Sequence, residues 1–109
     1  MKMKQRAPVI MAPFFLLLAL AANAETVIVQ VEQMLYKPAT VRIKPGDTVR
    51  WVNAEKRTSH SVLFPAESHS ESERFFPGEH WERKFMKAGT YPYICGPHPE
   101  MKGVVIVAE

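Results

Sequence analysis

The chain has 109 residues, including 14 Lys and Arg, 11 Asp and Glu, and one cysteine. This length allows one small domain and little more. The single cysteine excludes an intramolecular disulfide, although domains of this size often need a disulfide, a metal or a partner to supplement a modest core.

Residues 1–24 have the layout of a secretory signal peptide. A basic start, formed by Lys2, Lys4 and Arg6, precedes an apolar run that closes on a small-residue A-x-A motif ending at Ala24. An uncleaved membrane anchor is disfavoured because the run is short for a span of roughly 20 residues and contains Pro13. We therefore predict export, cleavage after Ala24 and a mature domain of residues 25–109.

Removal of the signal peptide also changes the charge. The three basic residues are lost with no acidic one, which leaves 11 Lys and Arg against 11 Asp and Glu. The pI of about 9.2 thus describes the precursor. A mature net charge near zero provides no attraction to nucleic acid or to an anionic membrane, and we expect the protein to bind neither. We also expect it to be a monomer.

Alternating apolar and polar residues predict β-strands along most of the mature domain. The first candidates are 27–31, 41–44 and 49–52, with the turn sequence KPGD between the second and the third. The later candidates are 61–64, 81–86, 91–95 and 103–108. Short strands in a chain too short for repeated βαβ units predict an antiparallel sandwich or a small barrel.

The segment 65–80 departs from this pattern. It is polar, rich in glutamate and poorly periodic. A long loop and a short helix near 70–75 both fit it, and the sequence does not choose between them.

The candidate site is the stretch CGPHPEM. Cys95, His98 and Met101 supply a thiolate, an imidazole and a thioether within seven residues. Two histidines, one cysteine and a weak axial methionine are the ligands of a blue-copper electron-transfer site. Pro97 and Pro99 restrict the backbone on both sides of His98. The stretch therefore predicts three ligands of one copper ion on a tight loop between two strands.

The fourth ligand must be another histidine. His60 opens a strand candidate after a polar turn, where a loop from another strand could meet it, whereas His69 and His80 lie in the irregular segment. We predict His60, and the predicted metal ligands are His60, Cys95, His98 and Met101.

Other functions remain as alternatives. A periplasmic copper chaperone or store could use the same donors, but methionine is sparse in the mature chain: Met34, Met86 and Met101. A structural zinc site would rarely include methionine. A hydrolytic Cys–His pair is disfavoured because no third orienting residue is identifiable. We therefore expect no enzymatic activity and no catalytic residues.

The stretches GTYPYICGPHPEMKGVVIVAE and YKPATVRIKPGDTVRWVNAEKRTSHSV resemble the cupredoxins, and among them the amicyanin-like group with its short C-x2-H-x2-M loop. Plastocyanins and pseudoazurins are wider relatives with longer loops. The resemblance covers about 27–107 and implies a Greek-key β-sandwich of seven or eight strands with one type-1 copper bound by the four predicted ligands. It also implies a periplasmic carrier of single electrons between redox proteins such as a dehydrogenase or a c-type cytochrome.

The resemblance further implies a docking surface around the second histidine. That residue is His98 here, and the electron would leave through it. Its expected apolar surroundings are Pro97 and Pro99, with Met34 and Pro65 as further candidates.

Three positions differ from the family's usual residues. Ser61 replaces an asparagine after the first histidine, and Gly96 replaces a threonine after the cysteine. Because those two residues usually tie the two ligand segments together, we predict a different tie here. Glu100 replaces an aromatic residue before the methionine, and its negative charge is expected to favour Cu(II) and lower the potential.

Overall fold

The computed structural model describes residues 23–109 and is built from β-strands. The predicted signal peptide lies almost entirely outside these residues. No helix in the described part is long and apolar enough to cross a membrane. Nine strands occur over residues 23–109: β1 Thr26–Glu32, β2 Leu35–Lys37, β3 Thr40–Ile43, β4 Thr48–Asn53, β5 Leu63–Phe64, β6 Ser70–Glu71, β7 His80–Lys84, β8 Gly89–Ile94 and β9 Lys102–Val107.

The strands form two sheets, which confirms the predicted sandwich, although nine strands occur over residues 23–109 where seven or eight were expected. One sheet has the order β2-β1-β4-β7, and the other has the order β3-β9-β8-β5-β6. The expectation of purely antiparallel pairing was wrong, because β1 pairs with β4 and β3 pairs with β9 in parallel. The parallel pairs arise where the chain changes sheets between β2 and β3 and returns at β4.

The segment 65–80 contains no helix. It turns back after β5 and adds the short strand β6, whose residues pair with β5 as Leu63↔Glu71 and Phe64↔Ser70. Further on, Phe75 forms an isolated antiparallel bridge with His60. This polar segment therefore runs beside the chain that carries His60.

The predicted strand 61–64 begins two residues late. The amide of Ser61 points to the sulfur of Cys95 at 3.5 Å, and the amide of Val62 donates to the hydroxyl of Ser72 at 2.9 Å. Because side chains take up these two amides, regular strand pairing starts only at Leu63.

The KPGD sequence forms the predicted turn between β3 and β4. The amide of Asp47 donates to the carbonyl of Lys44 at 3.0 Å, and Gly46 has a φ of 99°, which glycine tolerates without strain. The Asp47 carboxylate accepts from the amides of Glu25 and Lys44 at 2.9 and 3.0 Å. These hydrogen bonds lower the pKa of Asp47.

Between the sheets lies an aromatic core that leads to the candidate site. Trp51 and Tyr93 are buried and meet edge to face with ring centroids 5.2 Å apart, and Tyr36 meets Tyr93 in the same way at 4.7 Å. Burial raises the pKa of Tyr93 to about 12. Since Tyr93 lies two residues before Cys95, packing of this ring fixes the end of β8 from which the ligand loop departs.

Arg83 covers the edge of this core on β7. Its guanidinium donates to both carboxylate oxygens of Glu67, at 2.6 and 2.9 Å. It also lies 4.5 Å from the ring centroid of Phe64 and 4.6 Å from that of Phe85. The arginine thus combines an ion pair with cation–π contacts.

Candidate metal centre

Three of the predicted ligands belong to one closed loop between β8 and β9. Cys95 follows β8, and Met101 directly precedes β9. The amide of Cys95 donates to the carbonyl of Met101 at 3.1 Å, and the amide of Met101 donates to the carbonyl of His98 at 2.9 Å. Because Ile94 and Lys102 form the last pair of the β8–β9 ladder, the loop ends are held together.

His60 reaches the loop from the chain between β4 and β5. It exchanges backbone hydrogen bonds with Phe75, with N···O distances of 3.1 and 2.9 Å. Its side chain is fully buried. A residue some 35 positions before Cys95 therefore arrives at the same point through sheet pairing rather than through local sequence.

The donor atoms converge at a spacing that fits one metal ion. Cys95 Sγ lies 3.6 Å from Nδ1 of His60 and 3.6 Å from Nδ1 of His98. A ligand atom from each of these residues lies within 4.8 Å of the others. With metal–ligand bonds of about 2.0–2.3 Å, two donors around one ion lie roughly 3.5–3.8 Å apart. The observed Sγ–Nδ1 separations fall in that range.

Met101 is also placed in the loop and is 2% exposed, among the buried core residues. Cys95 and His60 are fully buried, whereas His98 is only partly buried. The donor set therefore meets solvent from the side of His98. Thiolate, imidazole and thioether donors suit copper.

His69 and His80 do not join this group. Both are exposed, His69 in the turn before β6 and His80 at the start of β7, where it pairs with Val52. The histidine that the structure brings to Cys95 and His98 is His60.

Glu55 orients His60 and was not predicted from the sequence. Its carboxylate lies 2.8 Å from Nε2 of His60 and also accepts from the amides of Met34 and Gln33, at 3.0 and 3.3 Å. Desolvation acts to raise the pKa of Glu55, but these hydrogen bonds outweigh it and the net shift is downward. An ionised carboxylate at Nε2 holds the imidazole proton there, which leaves the Nδ1 lone pair facing Cys95.

Asn53 fixes the turn that carries Glu55. This buried amide donates to the carbonyls of Thr58 and Phe75, at 2.8 and 2.9 Å, and accepts from the amide of Glu55 at 2.8 Å. An acidic residue five positions before His60 was visible in the sequence, but the polar turn gave no reason to place it at the ring.

Tyr36 is a second supporting residue that the sequence did not indicate. Its hydroxyl donates to the carbonyl of Ser61 at 2.7 Å, in a buried setting. Burial raises the pKa of this phenol. It therefore remains a neutral donor that holds the chain next to His60.

The two ligand-bearing segments are tied through Ser61 and Gly96. The amide of Gly96 donates to the hydroxyl of Ser61 at 2.9 Å, and that hydroxyl donates to Glu71 at 2.7 Å. The residues that replace the usual asparagine and threonine thus provide a tie of their own, with a carboxylate as its third member.

Comparison with known proteins bears on this donor set. The family model described as copper binding proteins of the plastocyanin/azurin family matches residues 23–108. The chain belongs to the plastocyanin/azurin family. The group of His60, Cys95 and His98 is therefore a single copper site, and the cofactor is one copper ion.

Individual relatives place the chain within this copper-binding family. Amicyanin from Paracoccus versutus is 40% identical over 88 residues, which cover 77% of this chain and 66% of that protein. Plastocyanin from Scenedesmus fuscus is 37% identical over 86 residues, covering 68% of this chain and 87% of the relative. The chain thus spans just under two thirds of the length of the first of these relatives.

Solved structures agree with the sequence comparison. The crystal structure of amicyanin from Paracoccus versutus superposes with a TM-score of 0.70 at 37% identity, covering 80% of this chain and 83% of the other. A variant of amicyanin in its Cu(I) form gives a TM-score of 0.72 at 31% identity, over 76% and 82% of the two chains. The fold is therefore that of the cupredoxins, as predicted.

Proposed function

We propose that the protein is a periplasmic electron carrier whose copper ion is held by His60, Cys95, His98 and Met101. The observation that carries this proposal is the approach of two Nδ1 atoms to one cysteine sulfur at 3.6 Å each. When bound, copper would supply a one-electron Cu(II)/Cu(I) couple. The chain contributes a thiolate and two imidazoles whose positions are fixed before any electron arrives.

The surroundings of the site support electron transfer because they restrict movement of the donors. Glu55 holds the ring of His60, and the loop hydrogen bonds hold Cys95 and Met101. A donor set that changes little between oxidation states requires little reorganisation. His60 and Cys95 are fully buried, so solvent does not reach these two residues.

His98 is the route by which an electron would leave. It is partly exposed and lies between Pro97, which is half-buried, and Pro99, which is exposed. A periplasmic dehydrogenase or a c-type cytochrome would dock transiently on this surface. Met34 is a further candidate for the contact area. Its side chain is 36% exposed, and its backbone amide donates to the Glu55 carboxylate that contacts His60.

The proposal is tested by adding Cu(II) to the purified protein. We expect intense visible absorption from thiolate-to-copper charge transfer, which Cys95→Ser abolishes. His69→Ala and His80→Ala are matched controls and should retain the colour. A colourless protein that binds zinc tightly would refute the copper assignment.

A second measurement separates a carrier from a copper-handling protein. A carrier retains its ion through repeated chemical oxidation and reduction, and it exchanges electrons rapidly between its two oxidation states. A chaperone or store would release the ion to a competing chelator within a few cycles. Fractionation of the producing cells and N-terminal sequencing test the predicted location, with Glu25 expected as the first residue.

A further inference from the structure

Glu71 lies at the end of a short chain of polar contacts that begins at the ligand loop. The Gly96 amide can only donate, so the oxygen of Ser61 must act as the acceptor at 2.9 Å. The Ser61 proton is then directed to the carboxylate of Glu71, 2.7 Å away. Each group has one compatible role, and the direction of every hydrogen bond is fixed.

The middle of this chain joins both ligand segments. Ser61 follows His60, and Gly96 follows Cys95. Ser61 is fully buried, and its own amide points to the sulfur of Cys95 at 3.5 Å. Hydrogen bonds around the cysteine sulfur are one means by which a protein tunes a blue-copper site. A change in the position of Ser61 would therefore change the contact between its backbone amide and the sulfur of Cys95.

Gly96 makes room for the carboxylate. A Cβ atom built on Gly96 would overlap Oε2 of Glu71 and lie 2.8 Å from its Cδ and 2.9 Å from the hydroxyl oxygen of Ser61. The backbone of Gly96 is not in the left-handed region, so glycine contributes space for the carboxylate here and not conformational freedom. Glycine at 96 and glutamate at 71 are therefore coupled choices.

Backbone pairing delivers Glu71 to this point. Glu71 pairs with Leu63 on β5, and the next residue, Ser72, exchanges hydrogen bonds with the backbone of Val62 at 2.9 Å in both directions. The irregular segment 65–80 thus has a defined task at the site, although Glu71 itself lies at the surface.

We propose that Glu71 is a positioning residue for the copper site. Its carboxylate locks the Ser61 hydroxyl, which in turn holds the Gly96 amide and keeps the segments carrying His60 and Cys95 in register. This inference rests on the proposed copper function but adds a residue outside the ligand set.

Substitution of Glu71 tests the inference through copper affinity and the visible spectrum. Glu71→Ala is expected to weaken copper binding by about 10-fold, measured by chelator competition, since partners that orient ligands typically contribute that much. It should also shift the charge-transfer band. Glu71→Gln retains an acceptor for Ser61 and should stay within about 3-fold of the parent. The matched control, Glu73→Gln, removes a charge from the same segment and should change neither.

A double-variant cycle with Gly96→Ala tests the coupling itself. The added methyl would displace the carboxylate of Glu71 and would also lie 2.9 Å from the Ser61 hydroxyl oxygen, so Gly96→Ala removes the contact that Glu71→Ala removes. The double variant Glu71→Ala/Gly96→Ala should then lose about as much affinity as Gly96→Ala alone, and not the product of both losses. Thermal unfolding of the metal-free proteins should show the same lack of additivity.

The outcomes distinguish this inference from the proposed function. If the parent and Glu73→Gln bind copper with intense colour while Glu71→Ala matches them in affinity and spectrum, the positioning role is refuted and the function stands. Full additivity in the cycle would also refute it. If the parent protein gives no colour, the copper function fails, and the unfolding cycle of the metal-free proteins still decides whether Glu71 and Gly96 are coupled.

Discussion

The two histidines of the site are held in opposite ways. His60 is fully buried and has Glu55 at its outer nitrogen, 2.8 Å away. His98 is partly exposed on a proline-flanked loop, and over residues 23–109 no carboxylate lies within ion-pair distance of it. Under the proposed function, this difference separates two tasks: the ring of His60 is a fixed part of the scaffold, and the ring of His98 is the proposed exit for the electron.

The largest effect should come from removing each ring in turn. His60→Gly leaves a buried cavity and should lower the free energy of unfolding of the metal-free protein by about 2–4 kcal/mol, with loss of colour. His98→Gly should cost far less stability, and added imidazole should restore colour by entering from solvent. Denaturant unfolding and absorption spectra measure both. Equal destabilisation by the two variants would contradict the division of tasks.

Removing the carboxylate at His60 gives the next largest effect. Glu55→Ala should weaken copper binding by about 10-fold, because the imidazole loses the partner that fixes its proton on Nε2. Chelator competition measures this affinity. Glu32→Ala is the control, because Glu32 is a nearby acidic residue with no contact to His60, and it should leave the affinity unchanged.

On the side of His98 a charge substitution should change the reduction potential of the copper ion. Glu100 is exposed and lies two residues after His98. A unit charge about 8 Å away at an effective dielectric of about 20 interacts by roughly 2 kcal/mol, which solvent and salt reduce. Glu100→Gln should therefore raise the reduction potential by tens of millivolts in direct electrochemistry. Glu109→Gln, at the opposite end of β9, serves as control, and an unchanged or lower potential in Glu100→Gln would contradict the prediction.

The smallest effect concerns a carboxylate that contacts neither histidine. The hydrogen bonds from Arg83 lower the pKa of Glu67 below its ordinary value of 4.5. The resulting stabilisation is complete above pH 4.5 and is lost as the pH falls through the folded-state pKa. Because Glu67 is 37% exposed, Glu67→Gln should cost less than about 1 kcal/mol at neutral pH. Unfolding curves of the parent and the Glu67→Gln variant should converge in acid. At each pH the two proteins should have the same copper affinity.

Local patterns in the sequence explain which features were predictable. Cys95 and His98 lie within one loop, so their spacing alone indicated that their donor atoms converge. Strand alternation predicted the sandwich for the same reason, since period-two patterning is a local property. Ser61 and Gly96 also predicted that the tie between the ligand segments differs from the usual one, because both positions differ from the family's usual residues.

Contacts between distant parts of the chain were not predictable. Glu55 reaches His60 only because Asn53 folds the intervening turn, and Glu71 reaches Ser61 only because β6 pairs with β5. The short strands β2 and β6 have two or three residues and carry no measurable periodicity. The parallel pairs likewise depend on where the chain changes sheets and not on the composition of either strand.

The closed base of the ligand loop leaves the length of the loop free to vary. Ile94 pairs with Lys102, and the backbone amide of Cys95 donates to the carbonyl of Met101. The distance between the loop ends is therefore set by the sheet and not by the number of residues in between. Insertions there cost little closure entropy and leave the strand register intact. The loop can therefore be lengthened or shortened as an independent unit, so that the redox properties of the site can change while the sandwich is kept.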